Sequence, residues 1–106
     1  MSILSFAEKN PYNYSVLQAI YNGENKLTIE FIDNFDENAN CIVKLERIGN
    51  SNNFAGNCRV TKNGRSIQES VNGVLYWNED SHFVFGEWVS EGTEYYWWCE
   101  FENRVD

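Results

Sequence analysis

From Leu27 to the carboxyl end, apolar and polar residues alternate at period two in short runs separated by turn residues, the signature of antiparallel strands with one covered face. Lys26 to Phe35 sets Leu27, Ile29, Phe31 and Phe35 on one face against Thr28 and Glu30. Cys41 to Ile48 follows, with Cys41, Val43 and Leu45 inward and Lys44 and Glu46 outward. Phe54 to Lys62 and Arg65 to Val71 flank Asn63-Gly64, the pair that suits a two-residue hairpin turn with two positive φ angles. Asn72-Gly73 reads the same way and predicts another tight turn, into Val74 to Trp77; His82 to Val89 and Tyr95 to Glu102 complete the series around Ser90 to Glu94. Connections this short pair only sequence neighbours, so the seven runs predict an antiparallel meander. Upstream, Val16, Leu17, Ile20 and Tyr21 stand at helix-like spacing after Pro11 and Asn13 and before Gly23, which predicts a short helix, with an extra strand as the alternative. A twisted meander buries its apolar face by curling or by receiving a helix. The expectation is a mainly β single domain over residues 1–106: an N-terminal segment 1–25 with the helix, and a meander over 26–106 curled into a half-barrel or small open barrel.

Composition narrows the partners. The 106 residues are 42% hydrophobic and 16% aromatic, enough for one self-folding core. Eight Lys plus Arg against 16 Asp plus Glu give a net charge of −8, which argues against nucleic acid and anionic membrane and favours a basic protein as partner. No apolar run approaches the roughly 18 residues of a membrane span, and Met1 to Lys9 lacks the basic start and apolar core of a signal peptide, so a cytoplasmic location is expected. Cys41, Cys58 and Cys99 form no CxxC pair and sit in strand-like runs, as buried free thiols would.

Motifs for chemistry are missing. His82 is the one histidine, and no HExxH, GxSxG or glycine-rich phosphate loop occurs, so neither a metal nor another cofactor is expected. Asp80 with His82 reads as an acid/base pair only if a pocket surrounds it, and Glu100 with Glu102 reproduces a spacing found in any Glu-x-Glu strand. The expectation is a protein that is not an enzyme.

Charge is unevenly spread. Residues 1–40 hold 2 basic and 6 acidic side chains, residues 41–78 hold 5 and 2, and residues 79–106 hold 1 and 8. The last two runs therefore carry most of the excess, at Glu87, Glu91, Glu94, Glu100 and Glu102, among large rings. Period two puts Tyr95, Trp97, Cys99 and Phe101 on one face and Tyr96, Trp98, Glu100 and Glu102 on the other; Trp88 goes with Val84 and Gly86, opposite Phe83 and Phe85. One aromatic row is core. The other is a rigid contact surface whose rings and carboxylates suit arginine and lysine on a partner. The alternative is that both rows are buried, with the acids as rim.

Gly86-Glu87-Trp88 resembles the Gly-x-Trp element of the lipocalins, although it lies in the sixth run and the strand count falls below their eight. That resemblance implies a half-calycin shape and supports a second reading, a binder of an apolar small molecule or peptide around Phe83, Phe85, Trp97 and Phe101. In size, acidity and lack of catalytic motifs the whole chain resembles the small bacterial toxin-immunity proteins of the contact-dependent growth inhibition type. The resemblance implies inhibition by covering the cationic groove of a basic toxin, such as a nuclease, through Glu87, Trp88, Glu91, Glu94, Tyr96, Trp98, Glu100 and Glu102. A homo-oligomer that uses the spare aromatic face as its own interface is the third reading.

Overall fold

The computed structural model describes residues 3–7, 12–33, 37–77 and 81–102. Eight antiparallel strands follow one another: β1 (Ile3–Ala7), β2 (Tyr12–Tyr21), β3 (Lys26–Asp33), β4 (Ala39–Arg47), β5 (Asn53–Lys62), β6 (Arg65–Trp77), β7 (Ser81–Ser90) and β8 (Thr93–Glu102). The expected curled antiparallel meander is present, but its seven runs form six strands, β3 to β8, because two of them join in β6; β2 and the short β1 bring the count to eight and close the barrel that was expected to stay open, β1 pairing with both β2 and β8. Four register pairs join β1 to each neighbour, from Ile3↔Ser15 to Phe6↔Tyr12 and from Leu4↔Cys99 to Ala7↔Tyr96.

The expected N-terminal helix is absent from the described residues, and its span is β2. The cause is a β-bulge between Val16 and Gln18. One extra residue switches the parity of the strand, so Tyr14 and Val16 before it, and Ala19 and Tyr21 after it, all pack against the core. Of the four positions at helix-like spacing, Val16 and Tyr21 therefore pack against the core, while Leu17 points to solvent at 66% exposure.

Asn63-Gly64 is the expected two-residue turn, with φ of 53° and 76°, and Glu91-Gly92 is another, with φ of 50° and 79°. Asn72-Gly73 is not a turn: it lies inside the 13-residue β6, where Gly73 stands opposite Gly86 of β7. Here glycine is needed for room. A Cβ on Gly73 would come within 2.6 Å of Val84 and 3.1 Å of the Trp97 ring, and one on Gly86 within 1.9 Å of the Asn72 carbonyl. The bare backbone lets the Trp97 indole lie against the wall, where its Nε1 donates to the Asn72 carbonyl at 2.8 Å. The Asn72 side chain in turn accepts the Glu87 backbone N–H at 3.2 Å.

Inward residues of the strands fill the barrel, as expected for eight strands, whose interior is just wide enough for side chains. Leu27, Ile29, Val43, Leu45, Phe54, Leu75, Val84 and Trp97 are among those fully buried. Near the β7–β8 turn an aromatic series runs from Tyr14 to Phe31 (5.3 Å between ring centres), Trp88 (6.1 Å) and Trp97 (5.8 Å). The Trp88 Nε1 donates to one oxygen of Glu69 at 2.9 Å, and the Ser90 hydroxyl donates to the other. At the opposite end Arg47 is the plug. Its guanidinium lies 4.9 Å from the Phe54 ring centre and donates to the Tyr21 hydroxyl, the Glu24 and Ser51 carbonyls and the Asn52 side chain.

All three thiols are free and buried. A hydrogen bond with Cys41 is the main cause holding the Cys58 thiol protonated, with burial adding to it. Burial, then the neighbouring Glu100 charge, pushes the Cys99 thiol from 9.0 up to about 12. Because the folded thiol keeps its proton to higher pH than the unfolded one, its contribution to stability is complete below pH 9.0 and is lost as pH rises toward about 12. Urea midpoints measured across this window are expected to fall less steeply for Cys99→Ala than for the wild type; equal slopes would contradict the assignment. No helix of the described residues is long and apolar enough to cross a membrane.

Candidate protein-docking surface

The β7–β8 hairpin fixes the arrangement of the acidic and aromatic residues. Its two-residue turn pairs Ser90 with Thr93, and each step back along β7 matches one forward along β8: Trp88 with Tyr95, Glu87 with Tyr96, Phe85 with Trp98 and Phe83 with Glu100. Paired residues share a face. Inward stand His82, Val84, Trp88, Tyr95, Trp97 and Cys99; outward stand Phe83, Phe85, Glu87, Val89, Glu94, Tyr96, Trp98 and Glu100.

The outer wall therefore carries the exposed aromatic row, and the Trp97 row is core. Phe85 lies between Tyr96 and Trp98, with ring centres 6.0 and 6.3 Å away and planes within 19° and 18° of parallel. Tyr96 is 59% and Phe85 41% exposed, with Trp98 half-buried beside them. Glu87, Glu94 and Glu100 flank the rings, all exposed. Neither strand contains a Lys or Arg, so the two strands contribute only negative charge to this wall.

Of the eight residues expected at the contact, Glu87, Glu94, Tyr96, Trp98 and Glu100 come together here. Glu91 is exposed at the tip of the hairpin, one residue beyond the strand. The Glu102 side chain lies outside the described part of the structure. Trp88 is a correction: it is 3% exposed, turned into the barrel by its pairing with Tyr95 and tied to Glu69. It belongs to the core and leaves the contact set.

The surface also extends where sequence reasoning did not place it. Val74 and Tyr76 of β6 stand opposite Phe85 and Phe83, and Tyr76 is 54% exposed. The wall thus has an apolar centre across β6, β7 and β8, with its carboxylates on β7 and β8. Counting register from Glu91-Gly92 would have joined Phe83 and Phe85 to the Tyr96 row; nothing comparable marked Tyr76, because Asn72-Gly73 resembles a turn. An exposed patch of this kind, centred on rings and bounded by charge, matches the anatomy of protein interfaces.

The pocket of the second reading does not assemble from its named residues. Phe83 and Phe85 face outward while Trp97 is fully buried, and the Phe101 side chain lies outside the described part. Asp80, the proposed mate of His82, also lies outside the described residues. His82 itself is half-buried, with its ring 5.1 Å from that of Tyr21. No family model, curated protein or solved structure matches the chain.

Proposed function

We propose that this protein is a non-enzymatic inhibitor of the immunity type, which binds a basic toxin domain and covers its cationic groove with the outer wall of β7 and β8. The observation that carries the reading is the near-parallel trio of exposed Phe85 and Tyr96 with half-buried Trp98, between Glu87, Glu94 and Glu100 on two strands without a cation. Rings supply large contact area with few rotatable bonds, and arginine or lysine of the partner gains about 0.5 to 2 kcal/mol from each well-placed ring. The carboxylates take the positions of substrate phosphates. Their field also steers the encounter, a contribution that salt screens.

The test is capture of the basic partner from a toxin-bearing strain, followed by stopped-flow association with wild type and with Glu94→Lys/Glu100→Lys. Steering on this scale is worth about tenfold or more in association rate at low salt. The variant is expected to lose that factor, and the two proteins should converge as salt is added. Equal rates at low salt would reject this wall as the docking surface.

A further inference from the structure

The acidic wall is not the only charged feature of the barrel. Residues 41–78 carry 5 basic and 2 acidic side chains in a chain whose net charge is −8. Two of these cations, Lys44 and Arg59, converge on a groove of about 170 Å³ in the outer wall of β4, β5 and β6, together with Ile42, Asn57 and Gln68. Register explains the convergence. Arg59, at the centre on β5, stands opposite Ile42 of β4 and Gln68 of β6, and Lys44 stands opposite Asn57. All these positions face outward, because Cys41, Val43, Cys58 and Val60 between them face the core.

Glu30 and Glu46 share this wall. Among the described residues no carboxylate comes within ion-pair distance of Lys44 or Arg59. Two cations that stay outside ion-pair distance of any described carboxylate have their donors open to a ligand, and the side-chain amides of Asn57 and Gln68 supplement them with further donors. We propose that this groove binds a tetrahedral oxyanion, a phosphate group either free or as a monoester.

The donor set selects the ligand. One ammonium, one planar guanidinium fork and two amides approach from three strands, and adjacent strands lie about 4.8 Å apart. A carboxylate has two oxygens and is satisfied by the arginine fork alone, whereas a phosphate monoester presents three oxygens and uses lysine, arginine and an amide together. Volume points the same way: whole metabolites occupy pockets of about 300 Å³ or more, so a groove of about 170 Å³ suits one group, with the remainder of the ligand in solvent. Two cations do not make a nucleic-acid track, which needs a longer run of phosphate contacts. The groove lies on a different wall from the docking surface, so its test is independent of that reading.

The experiment is an NMR titration of the full chain with inorganic phosphate and, separately, phosphoserine, with chloride at matched ionic strength as the reference. Saturable shifts are expected at the amides of Lys44, Asn57, Arg59 and Gln68, and Lys44→Gln/Arg59→Gln should weaken binding at least about tenfold while its spectrum stays that of the folded protein. Tighter binding of phosphoserine would identify a monoester as the ligand, and tighter binding of inorganic phosphate the free ion; both support the site. Shifts that fail to saturate, scatter over the barrel or persist in the double variant would overturn it.

Discussion

Gly86→Ala is expected to lose about 3 kcal/mol of stability or more, at the upper end of the range for overpacked cores. The added methyl would lie 1.9 Å from the Asn72 carbonyl oxygen and 2.5 Å from the Gly73 Cα, both backbone atoms of the neighbouring strand. A side chain could rotate away; a strand held by its own ladder cannot. Relief requires β6 and β7 to part at the point where the Asn72 carbonyl also receives the Trp97 indole. Separation there weakens the ladder and loosens the largest fully buried side chain of the described core. At about 1 to 3 kcal/mol per molar urea, the midpoint should fall by about 1 M or more. Gly73→Ala is the comparison, because its methyl meets side chains of Val84 and Trp97, which can shift, and it should lose less. An unchanged midpoint for Gly86→Ala would mean that the β6–β7 wall is not packed as described.

Much of this architecture is legible in the chain because period two is a local signal. The alternation of Leu27, Ile29 and Phe31, or of Cys41, Val43 and Leu45, needs no knowledge of the rest of the molecule. Three features were illegible for physical reasons. A bulge in β2 breaks the alternation, so period two does not mark the strand between Val16 and Tyr21. Asn72-Gly73 has the residues of a tight turn, but its glycine serves a close approach between Gly86, Val84 and the Trp97 ring, all distant in sequence. Barrel closure depends on Leu4 meeting Cys99, the two ends of the chain, which short-range patterning does not encode. The candidate site divides along the same line. Alternation within β8 correctly kept Tyr96, Trp98 and Glu100 together; assigning Trp88 to them required the cross-strand register, which instead pairs it with Tyr95.

The second large effect concerns binding. In the proposed complex the glutamates of the outer wall set the association rate and the sign of the partner's charge, but the affinity should come from the rings, since energy in protein interfaces concentrates in a few central aromatic residues. Tyr96 and Trp98 stand next to one another along β8 and share Phe85 as their neighbour across the hairpin. Truncating both removes two of the three near-parallel faces on which a guanidinium or an apolar anchor would rest. Each hot-spot ring is worth about 2 kcal/mol or more, so Tyr96→Ala/Trp98→Ala should weaken the complex at least about a hundredfold, even allowing for non-additivity. The fold should survive, because these side chains point away from the core and a cross-strand aromatic pair contributes only about 0.2 to 1 kcal/mol.

The decisive measurement is therefore isothermal calorimetry of the captured basic partner with the wild type and with Tyr96→Ala/Trp98→Ala, alongside urea unfolding of both. The predicted result is a dissociation constant raised at least about a hundredfold in a variant that still unfolds cooperatively near the wild-type midpoint. A stably folded variant that binds the partner as tightly as the wild type would contradict the account.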